Sequence, residues 1–401
     1  MQYFRKFPAV ASPHPAMNPV VMHRKTILIP ACLLAAGGLA ILLWWLVGSP
    51  QRSPAQRQTP NEAPSSRQAA APAAGPIAVA CGLLHEKPER AATLRALMDL
   101  RAALMGMPRH EAVARIRSFL ASGLDHNTGI AFEIGPGGVL TGWPTLRSFL
   151  LDQLLAIDPA AAAALSRGIL NTPTTADEWA LALRNVGTVE APAEANAYLR
   201  ERTEALIANP SWQAHPSVGY LNAFDVLVHT HATASTPLLS GLIQQKDRGD
   251  LSHAAFLTLD RLVQSDSPAV LSQLATDRSL QQSRPEMVAQ EFARADLRDP
   301  AQSALVRAWL LDPARTAADL NSFAAVYPNN NRFVSNNLLT ADVPFAGADL
   351  AKHDREALEI IKSWVTDPAF QPIAGQLNTM VARLSGFVGT QPQAPSPRRV
   401  E

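Results

Sequence analysis

Two cysteines in 401 residues leave this chain without a disulfide framework. Cys32 lies inside a long apolar run and Cys81 follows a proline-rich stretch, so the two are not expected to pair. The folded part therefore rests on a packed core. Clustered cations are also missing. Of the 35 basic and 34 acidic residues, seven and one precede Gly82, which leaves 28 and 33 in the remainder, a net of −5. A mildly acidic domain with no basic run is unsuited to neutralising phosphates, which excludes nucleic acid as a partner. A second long uncharged run is absent as well, so the chain is not polytopic. No Gly-x-Ser-x-Gly nucleophile elbow occurs, and His110-Glu111 lacks the second histidine of a zincin motif.

One long apolar run is present. From Thr26 to Pro50 no residue is charged, and at 1.5 Å per residue this length crosses a hydrocarbon core of about 30 Å. Trp44 and Trp45 stand at its end, where indole rings favour the membrane interface, and His23, Arg24 and Lys25 flank its start. A cleaved signal peptide has a shorter apolar stretch with small residues before the cut, whereas Val47-Gly48-Ser49 is followed here by Pro50. A lipoprotein is disfavoured because Cys32 precedes most of the apolar run. The expectation is an uncleaved, single-pass signal-anchor at 26–48, contacting the bilayer through 26–47. The basic flank places the N-terminus in the cytoplasm and the domain in the periplasm or an equivalent extracytoplasmic space. Translation starts at Met1, Met17 or Met22 are all compatible with this pattern, since Met22 itself opens a compact basic segment.

The remaining boundaries follow from composition. Residues 1–25 form a short basic segment. Residues 49–79 are rich in Pro, Ala, Gln and Ser, with almost nothing to bury, and are expected to be a disordered linker. The tail at 390–401 has the same character, so the folded domain is expected within 80–389.

That domain has a helical period. Leu146, Phe149, Leu150, Leu154 and Ile157 recur at three- and four-residue steps, as do Val113, Ile116 and Leu120, then Leu251, Ala255, Leu259 and Leu262, then Leu358, Ile361 and Val365. Thr175 and Glu178 have capping-box spacing. Five Asp/Ser–Pro–Ala tripeptides, beginning at Asp158, Ser267, Asp299, Asp312 and Asp367, suggest helix restarts with the first residue as cap and proline at the first helical position. The fold class expected is all-α: a stack of antiparallel helical hairpins, irregular and solenoid-like. It is similar in construction to HEAT-type or tetratricopeptide solenoids, although no repeat consensus matches. One small β-hairpin interrupts it, with strands around 130–134 and 139–141 joined by Gly135-Pro136-Gly137-Gly138. A phosphate loop would need a Lys-Ser/Thr or a helix opening straight after those glycines.

Chemistry is thinly spread. His229-Thr230-His231 superficially resembles the His-x-His strand end of metal-dependent amidohydrolases. However, Tyr220, Leu221, Phe224, Leu227, Val228 and His231 fit a helical period, on which residues two apart diverge. No metal site, cofactor site or catalytic residue is therefore assigned, and Cys81 is expected to be inert. Asp125 to Thr141 carries two acids, Asp125 and Glu133, that would serve an envelope enzyme if the fold paired them. Asn329-Asn330-Asn331 and Asn336-Asn337 are the least helical part of the C-terminal half and a candidate binding surface, as are the aromatics Trp212 and Tyr327. The expected role is a membrane-anchored interaction or scaffold protein of the cell envelope, with a protein partner on the helical grooves. An enzyme acting from the 125–141 loop and hairpin is the alternative.

Overall fold

The structure, a computed structural model, describes residues 75–332, 335–342 and 347–390. The signal-anchor expected at 26–48, the segment before it, most of the linker and the end of the tail lie outside these residues. Among the described residues, no helix is long and apolar enough to cross a membrane.

The described domain is mostly helical with one small antiparallel β-hairpin. It opens with α1 (Pro76–His85), four residues ahead of the expected domain start, then α2 (Arg90–Gly106) and α3 (Arg109–Ala121). The hairpin follows as β1 (Glu133–Ile134) and β2 (Leu140–Gly142), with a 3-10 turn at Pro136–Gly138 between them. Next come α4 (Leu146–Ile157), α5 (Pro159–Ile169), α6 (Ala176–Val189) and α7 (Pro192–Ile207). Three single-turn helices succeed them: α8 (Pro210–Ala214), α9 (Val218–Asn222) and α10 (Asp225–His229). The C-terminal half holds α11 (Thr236–Ile243), α12 (Gly249–Ser265), α13 (Ser267–Thr276), α14 (Arg278–Ser283), α15 (Pro285–Phe292), α16 (Pro300–Leu310) and α17 (Ala317–Val326). It closes with α18 (Gly347–Val365) and α19 (Ala374–Thr390). Packing is largely between near neighbours in sequence, as with α1 on α2, α5 on α6, α11 on α12, and α18 on α19.

The apolar stripes account for this packing. In α4, Leu146, Phe149, Leu150 and Leu154 are fully buried, and in α12 so are Leu251, Ala255 and Leu262. Burying a leucine or phenylalanine side chain is worth about 1.5–3 kcal/mol, so stripes of this length set which helix face turns inward.

The restart tripeptides are a mixed case. Asp158 accepts from the Ala161 amide at 2.9 Å, and Asp299 accepts from Ala301 and Gln302, so both cap the helices that follow. Ser267 does not. Asp266 caps α13 through the Ala269 amide, and Ser267 is already the first helical residue. Asp312 starts no helix either. Its carboxylate accepts from Ala314 and pairs with Arg278, making a turn, and the next helix waits for Thr316. Asp367 opens a 3-10 segment, Pro368–Ile373, and the α-helix resumes only at Ala374. The capping box expected at Thr175 is half made. Its hydroxyl accepts from the Glu178 amide, but the Glu178 carboxylate is drawn away by a bidentate pair with Arg147 at 2.8 and 3.0 Å. Reciprocal boxes occur instead at Thr145 with Ser148 and at Thr316 with Asp319.

Candidate functional site

The asparagine-rich loop after α17 is held by several elements of the domain. A ladder of rings leads to it. Phe292 stacks on Trp309 at 4.8 Å, Trp309 meets Phe323 at 5.7 Å, and Phe323 stacks on Tyr327 at 5.3 Å. Tyr327 thus ends a buried aromatic column tying α15, α16 and α17 together, and is not the exposed aromatic that its loop position suggested. Beyond it, the Asn329 amide donates to the Ala293 carbonyl at 2.8 Å, and the Arg294 guanidinium donates to the carbonyls of Asn329 and Asn331. The Asn330 side-chain amide reaches Asp354 on α18 at 3.2 Å. The loop is pinned on one side by Ala293 and Arg294, just past the end of α15, and on the other by Asp354 within α18.

These contacts enclose a cleft of about 340 Å³ between the α12–α13 junction, the segment at 294–302, and the loop. Its walls are polar, with Arg294, Arg298, Asp296, Asn330, Arg332 and His353 among them. Most of these charges are committed to structure. Arg298 grips Asp296 and reaches Glu356 at 3.0 Å, and His353 lies 3.1 Å from Asp354. Asp266 and Asp299 are helix caps. Burial works against the charge on Asp296, but the Arg298 side chain and backbone amide hold its carboxyl below the usual range.

Beneath the cleft lies a buried acid pair. Asp260 on α12 ion-pairs with Arg294 and accepts from Gln264 at 2.8 Å. Glu291 on α15 is 1% exposed, and neither of its carboxylate oxygens has a hydrogen-bond partner among the described residues. Burial pushes both acids up, with Asp260 raising Glu291 further. Arg294 and Gln264 compensate Asp260 directly, whereas Glu291 has no such hydrogen-bond partner and is held the further up of the two.

The second asparagine segment, 335–342, is a wedge. Its ends are joined by a bridge between Asn336 and Ala341, and its tip enters the helical domain with Leu338 only 2% exposed. Asp225, at the start of α10, receives the Leu339 and Thr340 amides at 2.7 and 3.1 Å. Arg261 on α12 pairs with both Asp225 and Asp342, at 2.8 and 3.0 Å. Two glycines make room for the tip. A Cβ at Gly138, whose φ is +76°, would lie 2.5 Å from the Leu338 carbonyl oxygen, and one at Gly187 would lie 2.7 Å from a Leu339 methyl. Arg261 does not stand out in the sequence, because the wedge residues that it and Asp225 hold lie more than 70 residues further along the chain.

The other residues singled out by sequence are dispersed. Asp125 accepts from the His126 and Arg147 amides, whereas Glu133 pairs with Arg90 at 3.4 Å, so the fold gives the two acids separate partners. His229 ends α10 and His231 lies past the helix end with φ +50°, so the continuous helix expected through 231 breaks there. Burial, then the neighbouring His231, lowers the His229 pKa against the opposing pull of Asp225. Trp212 packs edge-on against Trp179 at 5.3 Å, half-buried. Among the described residues, no group of three or more His, Cys, Asp or Glu is placed to hold a metal ion. Cys81 is half-buried on α1, and burial pushes its thiol up, away from the reactive thiolate. No protein-family model, no curated protein and no solved structure matches this chain.

Proposed function

We propose that the chain is a membrane-anchored helical interaction protein of the cell envelope. A single-pass helix at 26–47 holds it in the cytoplasmic membrane, its N-terminus is cytoplasmic, and its domain is an irregular stack of antiparallel helical hairpins outside the cytoplasm. The partner is a protein that docks on the asparagine loop at 329–332 and its cleft. The observation that supports this reading is the preorganisation of the loop: Arg294 holds two of its carbonyls while its own charge is balanced by Asp260. A surface held this way loses little conformational freedom on binding, which favours affinity. Since the wall charges are largely engaged with one another, recognition rests on shape and on hydrogen bonds to neutral amides.

Site-specific photo-crosslinking tests the reading. With a photoreactive side chain in place of exposed Asn331 in the full chain, in native membranes, a discrete protein adduct is expected. It should be lost on adding Arg294→Ala, which frees the loop. A matching residue at exposed Gln371 should give no such adduct. Absence of any adduct at Asn331 above the Gln371 background would sink the proposal.

A further inference from the structure

The N-terminal hairpin of the domain carries a surface that the interaction reading does not use. Helix α1 has no charged residue from Pro76 to Leu84, and a helix apolar on all sides is normally enclosed. Here it packs chiefly against α2, through Ile77, Ala80 and Leu84, at the end of the domain. Val79 and Leu83, one turn apart on its outer side, are 59% and 46% exposed. On α2, Met98 and Met105, two turns apart, are 38% and 55% exposed. Four of the eight large hydrophobic residues left exposed among the described residues thus sit on these two helices.

Charge accompanies them. Residues 76–121 hold seven Lys and Arg against four Asp and Glu, a net of +3, whereas 122–390 hold 19 against 28, a net of −9. All seven cations are exposed, and two of them, Arg90 and Arg115, are in ion pairs, with Glu133 and Glu111. On α2, Arg95 and Arg101 stand three residues either side of Met98, and exposed apolar side chains flanked by cations in this way suit the boundary between anionic headgroups and acyl chains. The acidic remainder of the domain would be repelled from the same surface, which selects the end that faces it.

We propose that the α1–α2 hairpin lies on the surface of the anionic bilayer in which the chain is anchored, with Val79, Leu83, Met98 and Met105 toward the acyl chains. The proposal rests on the anchor at 26–47. From there, about 27 residues enter the domain at α1, so this helix is the element joined to the anchor by the shortest stretch of chain.

The test uses the full chain in nanodiscs. Cys32→Ser and Cys81→Ser remove the native thiols. An environment-sensitive fluorophore is then attached through Leu83→Cys, or through Glu359→Cys on α18 as a reference, Glu359 being 71% exposed. In discs of brominated phosphatidylglycerol, emission from position 83 should shift to the blue and be quenched severalfold more than from position 359. Phosphatidylcholine discs, or Arg95→Glu with Arg101→Glu, should reverse most of that difference. Equal exposure at the two positions in disc-bound chain overturns the proposal. So does shielding that depends on protein concentration but not on bromine, since a second copy would then cover the face. If the chain does not enter discs at all, the anchor fails. Brominated vesicles added to the same labelled protein then read the hairpin by itself: quenching at position 83 sustains the contact and its absence overturns it.

Discussion

Glu291 shows how much a single buried group contributes to stability. Its carboxyl is enclosed, unpaired and held well above the usual glutamate range. The folded chain retains a proton that the unfolded chain releases once pH passes the ordinary glutamate value of about 4.3, so stability from this group falls as pH rises. Glu291→Gln, which cannot ionise, should therefore raise the melting temperature at pH 7 to 8. The gain should shrink towards zero below pH 4, as thermal unfolding over a pH series will show. A gain that stayed constant across that range would mean the carboxyl titrates in the fold as it does in the unfolded chain. Asp225 is the opposite case, since both oxygens accept hydrogen bonds and Arg261 balances the charge. Asp225→Ala leaves half-buried Arg261 with Asp342 and Thr340, and deprives the Leu339 and Thr340 amides of their acceptor. Leaving such donors unsatisfied costs about 1–3 kcal/mol each. Denaturant titration should show that loss, together with faster hydrogen exchange of the Leu339 and Thr340 amides.

At the scale of elements, the caps rank the helix starts. Asp299→Ala removes an acceptor from two amides of α16 and should cost about 0.5–2 kcal/mol. At the α13 start, Asp266→Ala should cost a similar amount. Ser267→Ala should cost little or stabilise, because the Ser267 hydroxyl is buried without a partner. Equilibrium unfolding of the two variants separates them, and equal losses would place the cap at Ser267 after all. Leu305→Pro, inside α16, should exceed them all at about 3 kcal/mol or more, since it deletes a helical hydrogen bond and clashes with the preceding turn. The spacing of prolines and small polar residues made the starts of α5, α13 and α16 legible to within a residue. It did not separate Asp312, whose Pro and Ala are the same as at Asp299 but whose carboxylate is taken by Arg278 and the Ala314 amide in a turn.

For the whole molecule, the proposed topology makes a direct prediction. A reporter fused after Gly389 that is active only outside the cytoplasm should be active, and the mature chain should retain its N-terminal segment. Recovery of a soluble species beginning near Ser49 would refute the anchor. Mild proteolysis should cut first between Ser49 and Pro76, where composition offers nothing to bury, before any bond within the helices. In the folded part, the wedge at 335–342 links distant stretches of chain, touching the hairpin at Gly138, α6 at Gly187, α10 at Asp225 and α12 at Arg261. Gly138→Val, at φ +76° and facing the Leu338 carbonyl, should force the wedge tip aside and lower cooperativity of unfolding, visible as separate transitions by circular dichroism and by tryptophan fluorescence.

The sequence by itself determined what local physics controls. A helical period with buried Leu and Phe every third or fourth residue can be satisfied in one way, so the helices and their inward faces were legible. The β-hairpin was legible too, because Gly-Pro-Gly-Gly cannot continue either flanking element. Binding surfaces and carboxylate partners depend on long-range geometry. Glu178 could have completed the capping box of its own helix, and only the arrival of Arg147 from α4 decided that it would not. The asparagine segments could be singled out as irregular. That one would line a cleft and the other would plug the domain was decided by Arg294, Asp225 and Arg261, brought together from elements far apart in the chain. Hydrogen bonds of this kind carry no periodicity: any Asp or Arg in a helix has the same local signature until the fold supplies its partner.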